Sequence, residues 1–242
     1  MSRRSWLAAA AVPACLFAAA CGAGGAAGTA GTARPSTPAS HGPDVAALRT
    51  AMVAAMKQAR SVRVTGSTPE GAKKVGLDVV LTRAGGVAGR ITLNGHSLKV
   101  LTSPRHVYLG VTKSLAGWQK LPPDACALMC GKWLKEPARE LSSLAGNAGW
   151  RKIVVAFESP LAGSGASYAG TATVGGQPAL KLSLDAVGTI YVAAHGTPYL
   201  LRLESGTARI NYSDWNTAVL PPPPPASKVV TVSMLAAGLN GG

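Results

Sequence analysis

The sequence has few of the side chains with which enzymes perform chemistry. Its 242 residues include 4 histidines, 4 cysteines and 10 acidic residues, and only 5% are aromatic. The acidic residues are scattered singly, and the sequence contains neither a phosphate-binding Walker loop nor a dinucleotide fingerprint. We therefore predict that the chain is not an enzyme, with no catalytic residues, no metal site and no cofactor.

One segment comes near the nucleophile elbow of serine hydrolases. Gly165–Ala169 places Ser167 at the position of the nucleophile, with alanine in place of the final glycine. An elbow needs a strand before the serine and a helix after it. Here Gly, Ser and Ala precede the segment and the following residues favour a strand, so a degenerate enzyme built around Ser167 is kept only as a minor alternative.

The first twenty residues predict export. Arg3 and Arg4 precede an almost wholly apolar run, Trp6–Ala20, which ends in three alanines directly before Cys21. An apolar run of this length with small residues at its end is typical of a signal peptide rather than a membrane span. We predict that residues 1–20 are removed and that Cys21 follows a lipobox and carries the lipid, with acyl groups such as palmitate.

Features of this leader leave alternatives open. Ala18 stands where lipobox patterns usually have leucine, so ordinary cleavage and acylation at Cys15 are the rival interpretations. Ser2–Leu7 also resembles a twin-arginine signal, the export route of proteins that fold before crossing the membrane. The sequence does not decide between this route and the Sec pathway.

Basic residues dominate the charge. Without residues 1–20 the chain keeps 22 lysines and arginines against 10 acidic residues. In a cytoplasmic protein this excess would favour nucleic acid, but in an exported chain we expect no nucleic acid and instead anionic lipid headgroups, lipoglycans or wall polymers. A basic surface without a specific partner is the alternative. We predict a monomer on the extracytoplasmic face of the cell membrane.

Two cysteines remain in the folded part. Cys126 and Cys130 would lie in an oxidising compartment, where disulfides persist, so we predict that they are bonded to each other. The closed loop is so short that the bond would stabilise the fold by only about 2 kcal/mol. Zinc is disfavoured, because two cysteines are half a site and the nearest histidine is His106.

The mature chain divides into a tether and one domain. Residues 21–42 comprise the lipidated cysteine and a stretch of Gly, Ala, Ser, Thr and Pro that cannot form a core, and as a flexible coil it would span about 25 Å. Residues 43–242 form a single domain, which opens with an amphipathic helix after Pro43 and Asp44.

From Ser61 the apolar period changes to two. Short alternating runs separated by Gly, Asn and Pro turns predict an antiparallel meander with one buried face. Leu121–Pro123 interrupts this pattern, and residues 124–147 are predicted to be a helical insert. One face of that insert carries Leu134, Ala138, Leu141, Leu144 and Ala145. The predicted class is α+β.

Five stretches taken in order resemble a known family. They are Ser61–Gly66, Val107–Leu109, Trp118–Pro122, Val174–Leu182 and Ile190–Leu203. They are similar to actinobacterial lipoproteins of the LppX/LprG type, whose fold is related to the LolA lipoprotein-carrier half-barrel. The resemblance implies a strongly curved antiparallel β-sheet, a half-barrel, with helices packed on the concave face. It also implies an apolar cavity that carries the acyl chains of lipids or lipoglycans, and it transfers no catalytic residues.

The leading hypothesis is therefore a membrane-anchored protein that binds or carries acylated lipid or lipoglycan. The predicted cavity lining is aliphatic and comprises Leu77, Val79, Leu81, Ile91, Leu93, Leu182, Leu184, Leu201 and Leu203. A rim of Lys73, Lys74 and Lys132 would hold an anionic headgroup. The alternative is a non-catalytic interaction or sensor module of the envelope, with a dry core and a basic surface.

Overall fold

The computed structural model describes residues 42–70, 73–103, 105–137, 165–185 and 188–235, with only the backbone of Glu70 and Lys73. The predicted signal peptide, the lipidation site Cys21 and all but the last residue of the tether lie outside the described residues. So do Ala138, Leu141, Leu144 and Ala145 of the predicted insert.

The described residues contain twelve strands and three complete α-helices, and residues 232–235 are also helical. Helix α1 (Val45–Gln58) precedes β1 (Ser61–Glu70), β2 (Lys73–Thr82), β3 (Val87–Leu93), β4 (His96–Thr102) and β5 (His106–Val111). Helices α2 (Lys113–Trp118) and α3 (Pro123–Met129) lead to β6 (Trp133–Pro137). The remainder is β7 (Ala166–Val174), β8 (Gln177–Leu184), β9 (Gly188–Ala193), β10 (Leu200–Ser205), β11 (Ala208–Ser213), a 3-10 turn (Ala226–Lys228) and β12 (Val229–Thr231).

All twelve strands form one curved, unclosed sheet in the order β12-β6-β5-β4-β3-β2-β1-β11-β10-β9-β8-β7. Neighbouring strands are antiparallel, apart from β12, which runs parallel to β6. The predicted α+β class with a curved antiparallel sheet is confirmed. The two halves of the sheet meet where β1 pairs with β11.

Helix α1 covers one face of the sheet. Asp44 caps it by accepting hydrogen bonds from the backbone N–H groups of Ala46 and Ala47, both at 3.0 Å. Met52 and Met56 are almost completely buried in the main core. No helix in the described part of the chain is long and apolar enough to cross a membrane.

Strand alternation gives the sheet two different faces. In β1, Val62 and Val64 are buried in the core that α1 covers, whereas Arg63 points to the other side and is exposed. The side on which α1 packs is called the helix face below, and the other side the outer face. The helix face continues from strand to strand, since Val62 lies opposite Leu81 and Leu81 lies opposite Val87.

Glycines permit close approach of neighbouring strands. Gly66 and Gly89 lie inside β1 and β3 with φ of 139° and 144°. A Cβ atom on Gly66 would overlap the backbone of Arg209, and one on Gly89 would overlap the backbone of Asp78. Glycines at such positions let a sheet bend.

The predicted helical insert is wrong between residues 133 and 137. These residues form β6, in which Leu134 pairs with Leu109 of β5. Pairing with the neighbouring strand β5 satisfies the backbone hydrogen bonds of these residues. Helix is confined to α3 within the described part of the insert.

The proline-rich segment before β12 crosses the outer face. Leu220 and Val229, at its two ends, pack against a cluster of Ala88, Leu101 and Tyr108. Pro221–Pro225 therefore connects the middle of the sheet to the edge strand β12, as expected of a stiff crossover.

Candidate functional site

The helix face has a sealed part beneath α1. The largest side chains that are less than 2% exposed are Met52, Met56, Leu81, Leu182, Leu184, Ile190 and Leu200, with the valines Val62 and Val192. Strands from both halves of the sheet contribute to this cluster. It forms the dry core of the domain.

Beyond this core the same face carries aliphatic side chains that are only half-buried. We call them the aliphatic stripe: Leu77, Ile91, Leu93, Leu98, Val100, Leu109 and Leu134. They lie on the consecutive strands β2 to β6. Aliphatic groups on the core side of a sheet are normally buried as fully as those beneath α1. The stripe is therefore apolar surface that the described structure leaves partly uncovered.

Strand register makes the stripe continuous. Leu77 lies opposite Ile91, which lies opposite Leu98. In the neighbouring row Val100 lies opposite Leu109, and Leu109 opposite Leu134. Directly opposite residues have Cβ atoms about 5 Å apart, so two adjacent rows form one apolar surface.

Eight of the nine residues predicted to line a cavity lie on the helix face. Leu77, Ile91 and Leu93 belong to the stripe, and Leu203 is half-buried beside the core. Val79, Leu81, Leu182 and Leu184 lie within the core itself.

Leu201 does not share the face of the other predicted lining residues. It packs with Val174, Ala179 and Tyr191 in a separate cluster on the outer face. The pairing of β10 with β9 shifts between Leu200 and Arg202. Such a bulge adds a residue to one strand and reverses the alternation that places Leu201 on the helix face.

Four members of the stripe were not predicted, namely Leu98, Val100, Leu109 and Leu134. Strand β4 supplies two of them, and alternation in His96–Thr102 was the signal that could have identified it. Leu134 was missed because it was assigned to a helix.

Two helices lie at one end of the sheet, next to the stripe. Here β2, β4 and β6 begin, β3 and β5 end, and α2 and α3 connect β5 to β6; we call it the α2 end. The His96 ring stacks on the Trp118 ring with centroids 5.3 Å apart. His96 Nδ1 also lies 2.8 Å from Ser114 Oγ. These contacts hold α2 over the start of β4, next to Leu93 and Leu98 of the stripe.

The predicted rim lysines lie at this same end. Lys74 is exposed near the start of β2 and Lys132 is half-buried just before β6, whereas the side chain of Lys73 lies outside the described residues. Exposed Lys113, Lys120 and Lys228 join them, because they flank α2 and precede β12. Among the described residues none of these five side chains has an ion-pair partner.

The predicted disulfide is confirmed. Cys126 of α3 is bonded to Cys130, which directly follows the helix, and their Cα atoms are 4.9 Å apart. No residue of α3 is buried. The bond therefore braces a surface turn at the α2 end rather than the core.

The outer face carries two open cavities with mixed polar and apolar linings. One, of about 600 Å³, is lined by Arg63, Asp78, Arg90 and Lys99, among others. In it Arg63 forms a 3.0 Å ion pair with Asp78, and Arg90 lies directly opposite Lys99. The second, of about 690 Å³, lies over β9 to β11 and is lined mainly by polar and aromatic residues. Neither resembles an aliphatic lipid cavity.

A polar network lies on the outer face beside the second cavity. The Tyr191 hydroxyl donates a 2.8 Å hydrogen bond to Glu204, which also pairs with Arg202 and Arg209. Burial raises the pKa of Tyr191, and the hydrogen bond to Glu204 raises it further.

The geometry around Ser167 is not that of a nucleophile elbow. Ser167 lies inside β7 opposite Ser183 of β8, and the strand continues to Val174 without a turn into a helix. Within the described residues no group of three His, Cys, Asp or Glu side chains is placed to hold a metal ion.

Comparison with known proteins gives structural matches alone. No protein-family model matches the chain, and no curated protein matches its sequence. LprF from Mycobacterium bovis is 15% identical with a TM-score of 0.48, and the match covers 76% of this chain and 98% of LprF. The Mycobacterium tuberculosis lipoprotein LppX is 16% identical with a TM-score of 0.47, and the match covers 73% of this chain and 97% of LppX. LppX, one of the two lipoproteins after which the sequence resemblance is named, is thus among the solved structures to which this chain is similar.

Proposed function

We propose that the chain is a membrane-anchored extracytoplasmic lipoprotein that binds the acyl chains of a lipid or lipoglycan on its helix face. The anchor is an acyl group on Cys21, and the tether that follows holds the domain near the bilayer. The protein is a carrier or holder of lipid and performs no catalysis.

The observation that carries this proposal is the aliphatic stripe. Seven aliphatic side chains on five consecutive strands remain half-buried beside a core whose members are almost fully buried. Each methylene of an acyl chain that leaves water against such a surface contributes about 0.8 kcal/mol. Several methylenes would therefore suffice for stable binding.

The charge at the α2 end supports an orientation of the ligand in which its acyl chain follows the stripe and its headgroup lies at this end. Lys74 and Lys132 lie at the end of the sheet at which Leu93 and Leu98 of the stripe are found. An acyl chain along the stripe would place an anionic headgroup beside these lysines.

The testing experiment is native mass spectrometry with lipid extraction on the mature chain from its native host or a close relative. We expect one acylated lipid per protein in addition to the anchor. An apo mass together with failure to take up added glycolipid would contradict the proposal.

Paired variants localise the binding. Leu98→Gln makes the stripe polar, whereas Val80→Gln makes the same kind of change to a half-buried side chain that lines the first outer-face cavity. Cargo loss in Leu98→Gln alone supports the helix face. Equal loss in both variants would contradict it.

The second candidate function is an envelope interaction or sensor module, and the cationic outer-face cavity favours it. Arg90 and Lys99 have no ion-pair partner among the described residues, so they are available to an anionic partner. Binding of an isolated wall polymer that is lost in Arg90→Gln/Lys99→Gln, with no lipid in the native mass, would establish this function instead.

A further inference from the structure

We propose that the disulfide-closed helix α3 is a membrane-contact element, with which the α2 end docks on a bilayer surface rich in anionic phospholipids. The inference rests on the proposed location of the chain at a membrane, and it does not depend on lipid carriage.

The first argument is that α3 is apolar but does not contribute to the core. Ala125–Met129 contains only alanine, cysteine, leucine and methionine, yet no residue of α3 is buried. Leu128 and Met129 both keep part of their surface in contact with water. The Cys126–Cys130 bond holds this turn together without a core beneath it. A short, covalently closed apolar turn is suited to the interface between headgroups and acyl chains.

The second argument is the charge around α3. Lys113, Lys120 and Lys132 surround it in sequence, and Asp124 is the one acidic residue in residues 112–132. Lys74 and Lys228 lie at the same end of the sheet. Apolar side chains flanked by lysines are typical of segments that lie in the interface of an anionic membrane, because the ammonium groups contact lipid phosphates while the apolar groups enter the acyl region.

The third argument is the position of the tether. Gly42 lies against the ring of Tyr168, near the start of β7. Following the antiparallel register from β7 to β6 shows that β7 begins at the same end of the sheet as β6. The chain therefore leaves the domain toward its proposed anchor from the α2 end. If this end faces the bilayer, both the start of the tether and α3 lie on the membrane side of the domain.

The test is flotation of the mature chain, from residue 21 with Cys21→Ser, on phosphatidylcholine vesicles with and without phosphatidylglycerol. The substitution removes the acyl contribution. Leu128→Ser/Met129→Ser tests the apolar turn and Lys120→Gln/Lys132→Gln the charge. Arg83→Gln/Arg105→Gln is the matched control, since it removes the same charge from exposed turn residues at the opposite end of the sheet.

We expect binding only with phosphatidylglycerol. The substitution of both lysines at α3 should weaken binding about 30-fold, because each lysine near the membrane surface contributes about fivefold. The apolar pair should weaken it about tenfold, and the control pair much less. Wild-type binding by the apolar pair, or equal losses in the lysine pair and the arginine control pair, would overturn the proposal.

A measurement without substitutions guards against misfolded variants. On phosphatidylglycerol vesicles, amide hydrogen exchange in residues 123–130 should slow, while exchange in the turn at residues 194–198 at the other end should not. Unchanged exchange in residues 123–130 would overturn the proposal. Because cargo is measured separately by native mass spectrometry, a lipid-loaded protein that fails to dock refutes this inference alone, and a docked protein without cargo refutes the carrier function alone.

Discussion

The Asn216 side chain accepts a 2.7 Å hydrogen bond from the backbone N–H of Arg60, a residue 156 positions earlier in the sequence. Asn216 also donates to the Tyr199 hydroxyl at 2.6 Å, and its backbone N–H donates to the carbonyl oxygen of Ser61. One side chain therefore ties the start of β1 to the loops on either side of β10 and β11.

Asn216→Ala should destabilise the fold by about 2–4 kcal/mol, because it removes two hydrogen bonds and places alanine at a φ of 67°. Urea denaturation followed by circular dichroism measures this change. Asn216→Asp is the control, since aspartate keeps the acceptor for Arg60 and tolerates positive φ. A stability of Asn216→Ala equal to that of the wild type would show that the link contributes nothing.

Gly89→Ala should lower the free energy of unfolding by more than about 3 kcal/mol, because the added Cβ would overlap the backbone of Asp78. Gly85 is a suitable comparison. It also has a positive φ, of 87°, but a Cβ there meets nothing within 4 Å, so Gly85→Ala should cost only about 1–2 kcal/mol. Similar costs for the two substitutions would mean that close strand approach at Gly89 is unimportant.

Val100→Trp should reduce bound lipid by about tenfold, because the indole ring would occupy the surface against which an acyl chain lies. Val80→Trp adds the same volume to a half-buried residue that lines an outer-face cavity, and it should leave the cargo in place. Quantifying extracted lipid per protein compares the two variants. Full cargo in a folded Val100→Trp variant would exclude this part of the stripe from binding.

Stability should fall with pH above about 10, because burial raises the pKa values of both Tyr191 and Tyr212. A raised pKa means that the fold favours the protonated tyrosine. Its contribution is therefore complete below the ordinary value of 10.0 and is lost as the pH rises through the folded-state pKa.

Urea titrations at several alkaline pH values measure this dependence. The free energy of unfolding of Tyr191→Phe should decline less steeply than that of the wild type, because one of the two groups no longer ionises. Identical slopes for the two proteins would contradict the assignment.

Predicting the fold from the sequence succeeded where alternation was local and failed where pairing decided the structure. Leu77, Val79 and Leu81 recur at every second position, with Asp78 between the first two, so the sequence alone indicated that they share one face. Leu134 also fits a helical spacing, and only its pairing with Leu109 makes it part of a strand. The bulge that turns Leu201 to the outer face leaves no mark in the local pattern.

The candidate site shows the same division. A sequence indicates which aliphatic residues face inward, but whether another element covers them depends on where α1 packs. Val79 and Ile91 have similar patterns, yet Val79 is buried and Ile91 is half-buried. The grouping of Lys113, Lys120 and Lys228 with the predicted rim follows from sheet topology, since Lys228 is distant from the others in sequence.

The pairing of β1 with β11 has a consequence for the order of folding. Contacts within each half of the sheet are mostly local, so they form with little loss of chain entropy, whereas this seam joins strands that are about 150 residues apart. In a chain that crosses the membrane unfolded and N-terminus first, β1 acquires one neighbour early and has an unpaired edge until residues 208–213 emerge. An unpaired edge beside uncovered apolar side chains promotes aggregation. Completion of the seam thus removes this unpaired edge from the middle of the sheet.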